Sequence, residues 1–234
     1  MYEAVRAWPD GDSTVSRLAY TACEYGYDGV VVRNQPAASP ESEPERIRDA
    51  YGVDVVEGFE IRADGPSQAS GHVGNYRPKV TLLLVRGGTP KLNRFAVESD
   101  RVDVLTDPMG GRGDFNHVLA KAAVENGVRV EFNFGPVLRQ SGGPRVQALS
   151  ALRKLRELVE KYDVPYVVSA DASSHLQLRA PREVVAVGEA VGFDAEQVRT
   201  GLEEWHRLVE RNRERMGDGF FAPGHKRGRY EEEP

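Results

Sequence analysis

The chain has 234 residues, 40% hydrophobic and 29% charged, with a net charge of -5, which suits one well-solvated α/β domain, since single α/β barrels run to about 250 residues. No apolar run approaches the roughly 20 residues of a membrane span, and Glu3 and Arg6 break the first apolar stretch, so no signal-peptide pattern forms and a cytoplasmic protein is expected. The acidic total gives no global attraction to nucleic acid, yet 25 of the 31 basic residues are arginine, which binds phosphate in bidentate fashion and stacks on bases; a GC-rich genome or a high-salt cytoplasm also produces that bias.

Residues 2–7 read as a first strand. A helix follows over about 13–25, with Val15, Leu18, Ala19, Ala22 and Cys23 on one face and Gly26 as its stop. Cys23 is the only cysteine, so neither an internal disulfide nor a multi-cysteine zinc site forms, and on that face it reads as a small buried hydrophobe. Residues 29–32 are an apolar strand ending at Arg33 and Asn34; 36–44, rich in Pro, Ser and Glu, form a loop, and 45–51 a short helix. Strands are expected over 53–61, 80–85 and 102–105, with a short helix over 92–98. Residues 65–76 carry too little apolar content for a core element and read as an exposed loop. A helix over 115–126 leads through Gly127 to a strand over 128–132.

Next come the loop Ser141-Gly142-Gly143-Pro144-Arg145, an amphipathic helix, a strand ending in Val167-Val168-Ser169-Ala170-Asp171, and a helix opening at Pro181-Arg182-Glu183. The last helix, 194–216, starts with Asp194 and Gln197 in capping-box positions and carries Val198, Leu202, Trp205 and Val209 on one stripe. Residues 217–234, with two phenylalanines, the basic cluster Lys226, Arg227 and Arg229, and a terminal Glu-Glu-Glu-Pro, read as a tail disordered without a partner.

Seven strands that are apolar throughout need cover on both faces, which means a parallel sheet. It is either an open doubly wound sheet or a closed (β/α) barrel. The first strand-to-helix turn reads Pro9-Asp10-Gly11-Asp12-Ser13 and lacks the Gly-x-Gly-x-x-Gly fingerprint, which favours a single barrel over 1–216 with a tail after it.

In such a barrel function collects at the C-terminal strand ends. Here these give a mixed polar rim: Arg6, Arg33, Asn34, Glu60, Arg62, Arg86, Asp107, Glu131, Asn133, Ser169, Asp171 and His175. A metal-dependent phosphoesterase would need converging His and Asp ligands, with His-x-His on the first strand as anchor. Tyr2-Glu3-Ala4-Val5-Arg6 stands there instead, leaving Asp107, Asp171 and His175 as relic ligands at most and no metal expected on the protein. His117 and His206 fall on helices, His72 and His225 in expected loops. Gly-x-Ser-x-Gly, P-loop and His-Glu-x-x-His motifs are all absent.

The glycine loop Gly110-Gly111-Arg112-Gly113 reads as a plain turn or as a phosphate cradle. Arg139 and Arg145 in the loop before one helix, and Arg179 and Arg182 bracketing the next helix start, suit a phosphate backbone, or pair with Glu183 and Glu189. With Arg33, Arg86 and Arg112 they make up the candidate RNA-binding set.

The motif Tyr25-Gly26-Tyr27-Asp28-Gly29-Val30, the loop 141–145, the strand 164–169 and Leu178-Arg179-Ala180-Pro181-Arg182-Glu183-Val184 follow one another in a specific order and spacing. Over residues 1–216 the chain resembles the component-3 family of archaeal ribonuclease P proteins, and its arginine-rich, mildly acidic composition is that of a haloarchaeal member. The family in turn resembles the polymerase-and-histidinol-phosphatase (PHP) metal hydrolases, with residues 169–175 looking like a degenerate last ligand strand. The resemblance implies a subunit that pairs with protein component 2 and other proteins and helps a catalytic RNA, carrying the magnesium ions, to remove 5′ leaders from precursor tRNA. An active PHP-type phosphoesterase is the rival reading. The 65–76 segment and the tail have no counterpart in that resemblance.

Overall fold

The computed structural model of the chain describes residues 1–216, 220–222 and 225–226. Seven strands, β1 (Tyr2–Val5), β2 (Gly29–Val32), β3 (Asp54–Ile61), β4 (Leu82–Arg86), β5 (Val104–Thr106), β6 (Arg129–Asn133) and β7 (Tyr166–Ser169), lie side by side in sequence order. All six pairings are parallel. The connections carry α1 (Val15–Glu24), α2 (Pro44–Tyr51), α3 (Pro66–Tyr76), α4 (Pro90–Val97), α5 (His117–Asn126), α6 (Gly135–Arg139), α7 (Gly142–Tyr162) and α8 (Pro181–Val191), and α9 (Ala195–Met216) follows α8. This is the expected seven-stranded barrel.

Alternation along the strands sorts side chains between two cores. Val5, Val30, Val32, Leu83, Val85, Leu105, Val130, Phe132 and Val168 pack outward against the helices. Ala4, Val31, Val56, Leu82, Leu84, Val104 and Val167 fill the barrel's waist, where Trp205, Leu208 and Val209 of α9 join them.

The ring closes weakly between β7 and β1, through a single bridge from Val5 to Ala172. Exposed ladder groups at such a seam need other partners, and side chains supply them. The buried Glu3 carboxyl accepts the Ala170 N–H at 2.8 Å, and the Trp205 indole N–H donates to the Val168 carbonyl at 2.9 Å. Burial pushes the Glu3 carboxyl up to about 8, so near neutral pH it sits there mostly protonated. Helix α9 approaches β7 this closely because residue 201 is glycine: a Cβ there would lie 2.5 Å from the Val168 side chain.

Beyond the seam α9 crosses beneath the barrel and neutralises its N-terminal end. Arg213 pairs with Asp54, Arg211 with Asp103 and Glu204 with Arg129, while the Asn212 amide donates to Asp103 and to the Thr81 carbonyl. Burial opposes the charge on Asp54, but hydrogen bonds from Arg213, Arg48 and Tyr2 outweigh it and hold its pKa below the ordinary value.

Several local expectations change. Residues 65–76 form α3 rather than a loop: Pro66 fixes its first turn, and Ala69 and Val73, four residues apart, bury the one narrow stripe the helix needs. His72 therefore stands on a helix, stacked on Tyr76. Cys23 is exposed rather than buried, because α1 ends within one residue of it and turns that edge to solvent. Arg139, expected in a loop, closes the short helix α6. The capping box of the last helix forms as expected, with Asp194 and Gln197 exchanging side chain and backbone contacts. The tail expected to be disordered lies outside the described residues, apart from a short antiparallel pair, β8 (Phe220–Ala222) and β9 (His225–Lys226), which includes His225.

Candidate functional site

The inward positions at the C-terminal strand ends, read from sequence as a mixed polar rim, form a buried ionic layer. Arg33, 1% exposed, lies between two carboxylates and pairs with both Glu60 and Glu131. Arg6 donates to Glu60 at 2.9 Å and meets Asp171 through Nε at 3.1 Å; Arg62 reaches Glu60 at 2.8 Å. The Ser169 hydroxyl donates to Glu131 and the Asn133 amide to Asp171. Burial alone would raise the Glu60 carboxyl, yet the Arg33 and Arg6 guanidinium groups overcome it and hold Glu60 well below the carboxylate range. For Glu131 burial wins: Arg33 pulls it back only in part, Asp171 adds to the rise, and Glu60 is left as the firmer counter-ion.

This arrangement answers whether a divalent ion fits. A metal needs carboxylate and imidazole lone pairs free to converge on one point. Here guanidinium groups already occupy the centre of the carboxylate set. The relic ligands are engaged apart from one another: Asp171 with Arg6 and Asn133, Asp107 with Arg86 at 3.1 Å, and His175 Nδ1 with the Ser13 hydroxyl at 2.9 Å. No group of three or more His, Cys, Asp or Glu able to hold a metal occurs among the described residues. His175 instead ties the loop after β7 to the loop after β1, and these two loops carry the exposed Leu176 and Trp8.

The candidate arginines separate into three groups. Arg33 is corrected: it belongs to the interior layer, where no RNA phosphate reaches it. Arg139 and Arg179 are committed to backbone, Arg139 to the carbonyls of Ala170 and Asp171 at the seam, and Arg179 to those of Leu176 and Leu178. Arg86 is partly exposed and paired with Asp107. Arg112, Arg145 and Arg182 are exposed and make no ion pair among the described residues.

The glycine loop is a plain turn. Its Gly110, Arg112 and Gly113 amides bond to Asp107, Gly88 and Gly110, which leaves few for a phosphate. Position 111 suits glycine, because its φ is +56 and a Cβ there would lie 3.1 Å from the Gly88 carbonyl oxygen.

Sequence reasoning missed what lies beside this turn. A cleft of about 410 Å³ runs between it and the first turns of α7, walled by Met109, Pro136, Ala148 and Leu152 and carrying Gln140 and Gln147. Its walls come from separate segments, so no spacing signal announces it.

Three comparisons bear on this geometry. The profile of the RNase P subunit p30 family matches residues 1–217. A ribonuclease P protein component 3 of Haloarcula marismortui is 61% identical over 224 residues, covering 96% of this chain and 95% of that protein. A chain in the cryo-EM structure of archaeal ribonuclease P with mature tRNA superposes with a TM-score of 0.83 at 26% identity, with both chains covered in full. A Listeria monocytogenes protein assigned as a histidinol phosphatase shares the barrel alone, at TM-score 0.51 and 10% identity over 76% of this chain and 97% of that one. With a family profile spanning nearly its whole length and a relative identical at three positions in five, the chain belongs to the RNase P subunit p30 family.

Proposed function

We propose that the chain is a non-catalytic protein subunit of ribonuclease P, assisting a catalytic RNA in removing 5′ leaders from precursor tRNA. Its partners are that RNA, the precursor tRNA, protein component 2 and the other protein subunits. Magnesium is held by the RNA and none by this protein. One observation carries the reading: at the barrel mouth, where a hydrolase of this architecture gathers its metal ligands, Arg6 and Arg33 neutralise the carboxylates instead. The likeness to a chain in a structure of archaeal ribonuclease P with mature tRNA supports it from outside the chain. Among the described residues no helix is long and apolar enough to cross a membrane, in keeping with a cytoplasmic assembly.

The test is reconstitution. The purified chain alone leaves precursor tRNA intact, and adding it with component 2 to the RNA raises cleavage. Changing Arg112, Arg145 or Arg182 to alanine weakens binding and lowers the salt slope by about one per lost phosphate contact. Metal-dependent phosphoester hydrolysis by the isolated chain, lost in Asp171→Asn, would overturn the reading in favour of the PHP-type phosphoesterase.

A further inference from the structure

The cleft between the glycine turn and α7 borders the ion-pair layer, with Glu131 and Asn133 among its lining, and its composition is specific. Its volume of about 410 Å³ falls within the range of about 300–1,000 Å³ usual for small-molecule sites. Part of the wall is apolar: Met109 and Pro136 from the segments facing α7, and Ala148 and Leu152 from α7. Polar groups face the same space. The side-chain amides of Gln140 and Gln147 line it and make no hydrogen bond among the described residues. Asp107 also lines it, using its carboxylate toward Arg86 alone among side chains. A carboxylate has about four lone-pair positions, so acceptor capacity remains.

Two arginines are next in sequence to lining residues, Arg112 after Gly111 and Arg145 after Pro144, both exposed and without an ion pair among the described residues. A ligand suited to this site is flat, apolar on its faces, rich in hydrogen-bonding groups along its edge and anionic on either side. An apolar side chain from a partner protein would leave both amides without a partner, which is costly on burial.

We propose that this cleft binds one unpaired nucleobase of the RNA partner, its edge read by Gln140, Gln147 and Asp107 and its flanking phosphates held by Arg112 and Arg145. The inference rests on the subunit role proposed above and deepens it. Splayed single-stranded bases are the usual targets of sequence-specific RNA recognition. Asp107 accepts from an exocyclic amine, so guanine, adenine and cytosine fit better than uracil.

The first experiment titrates the full chain with GMP, AMP, CMP, UMP and ribose 5-phosphate, followed by amide NMR. The nucleotides should shift Met109, Gln140, Gln147 and Ala148, with UMP weakest, whereas ribose 5-phosphate should shift only the surroundings of Arg112 and Arg145. Ala148→Trp, at a partly exposed helix position, should abolish the nucleotide shifts and spare the others. Gln140→Ala/Gln147→Ala, which adds no bulk, should weaken nucleotide binding about tenfold. Identical maps for GMP and ribose 5-phosphate, or unchanged binding by both variants, would overturn the proposal.

In the reconstituted holoenzyme, both variants should expose one or two unpaired nucleotides to chemical probing while assembly persists. An unchanged RNA footprint, with hydrogen exchange showing a partner protein over the cleft, sinks the proposal and leaves the subunit reading intact. Failure of the wild-type chain to raise cleavage strikes the subunit reading instead.

Discussion

The two ends of the barrel handle the same problem differently. Both collect carboxylates in or next to the strands, Asp54 and Asp103 at the N-terminal end and Glu60, Glu131 and Asp171 at the C-terminal mouth. At the N-terminal end the counter-charges are brought in by other elements, Arg211 and Arg213 of α9, Arg48 of α2 and Arg77 ahead of β4, and α9 seals the opening. At the mouth the main counter-charges, Arg6 and Arg33, follow directly from the strands β1 and β2. Neutralisation from within needs no covering helix, so the loops around the mouth stay free for contacts with partners. One end of the barrel is therefore covered by a helix, while the other carries its counter-charges on its own strands.

Breaking the internal layer should have the largest effect. Arg33→Met leaves Glu60 and Glu131 buried without their shared cation and should cost about 3–5 kcal/mol in denaturant unfolding; a loss under about 1 kcal/mol would mean the layer is not what neutralises the mouth. On the helix that seals the other end, Gly201→Val forces side-chain atoms into Val168 at the seam, and chemical unfolding should register about 1–3 kcal/mol of overpacking.

The seam carboxyl offers a pH test. Glu3 has a folded pKa of about 8 against an ordinary value of 4.5, so its contribution is fully present below about pH 4.5 and is lost as pH rises through about 8. Glu3→Gln keeps an acceptor for Ala170 and never ionises. Its stability relative to wild type should therefore rise between pH 5 and 9, by roughly 4 kcal/mol; parallel stability curves would show that Glu3 is not protonated at the seam.

The smallest effect belongs to the sealed end's periphery. The pKa of Asp54 is held down, so its stabilising contribution stands above the ordinary carboxylate value and disappears as pH falls through the folded value. Arg213→Ala removes one of three donors to Asp54, should cost about 1 kcal/mol at neutral pH, and should make acid unfolding less steep. An unaltered acid limb would assign the depression to Arg48 and Tyr2 alone.

The sequence by itself determined the barrel. Apolar strands 29–32 and 80–85 demand cover on both faces, the missing glycine fingerprint points away from the open sheet, and the capping residues Asp194 and Gln197 mark the last helix. These are local signals, carried by neighbours a few residues apart. The polar residues at the strand ends were equally legible, as was the lack of a His-x-His anchor on the first strand. Helix α3 was missed because two buried residues suffice for a helix on the barrel's flank, below what a periodicity reading detects.

What only the tertiary structure decided is which of those charges meet. Arg33 and Glu131 stand 98 residues apart and Arg6 and Glu60 stand 54 apart, so no spacing rule separates a buried guanidinium from one aimed at RNA. The same holds for Arg139, spent on the seam's carbonyls, and for the cleft that brings Met109 to Ala148. Charge type is written at each position, but pairing, burial and therefore availability to a partner are set by which strand ends the barrel closure places side by side.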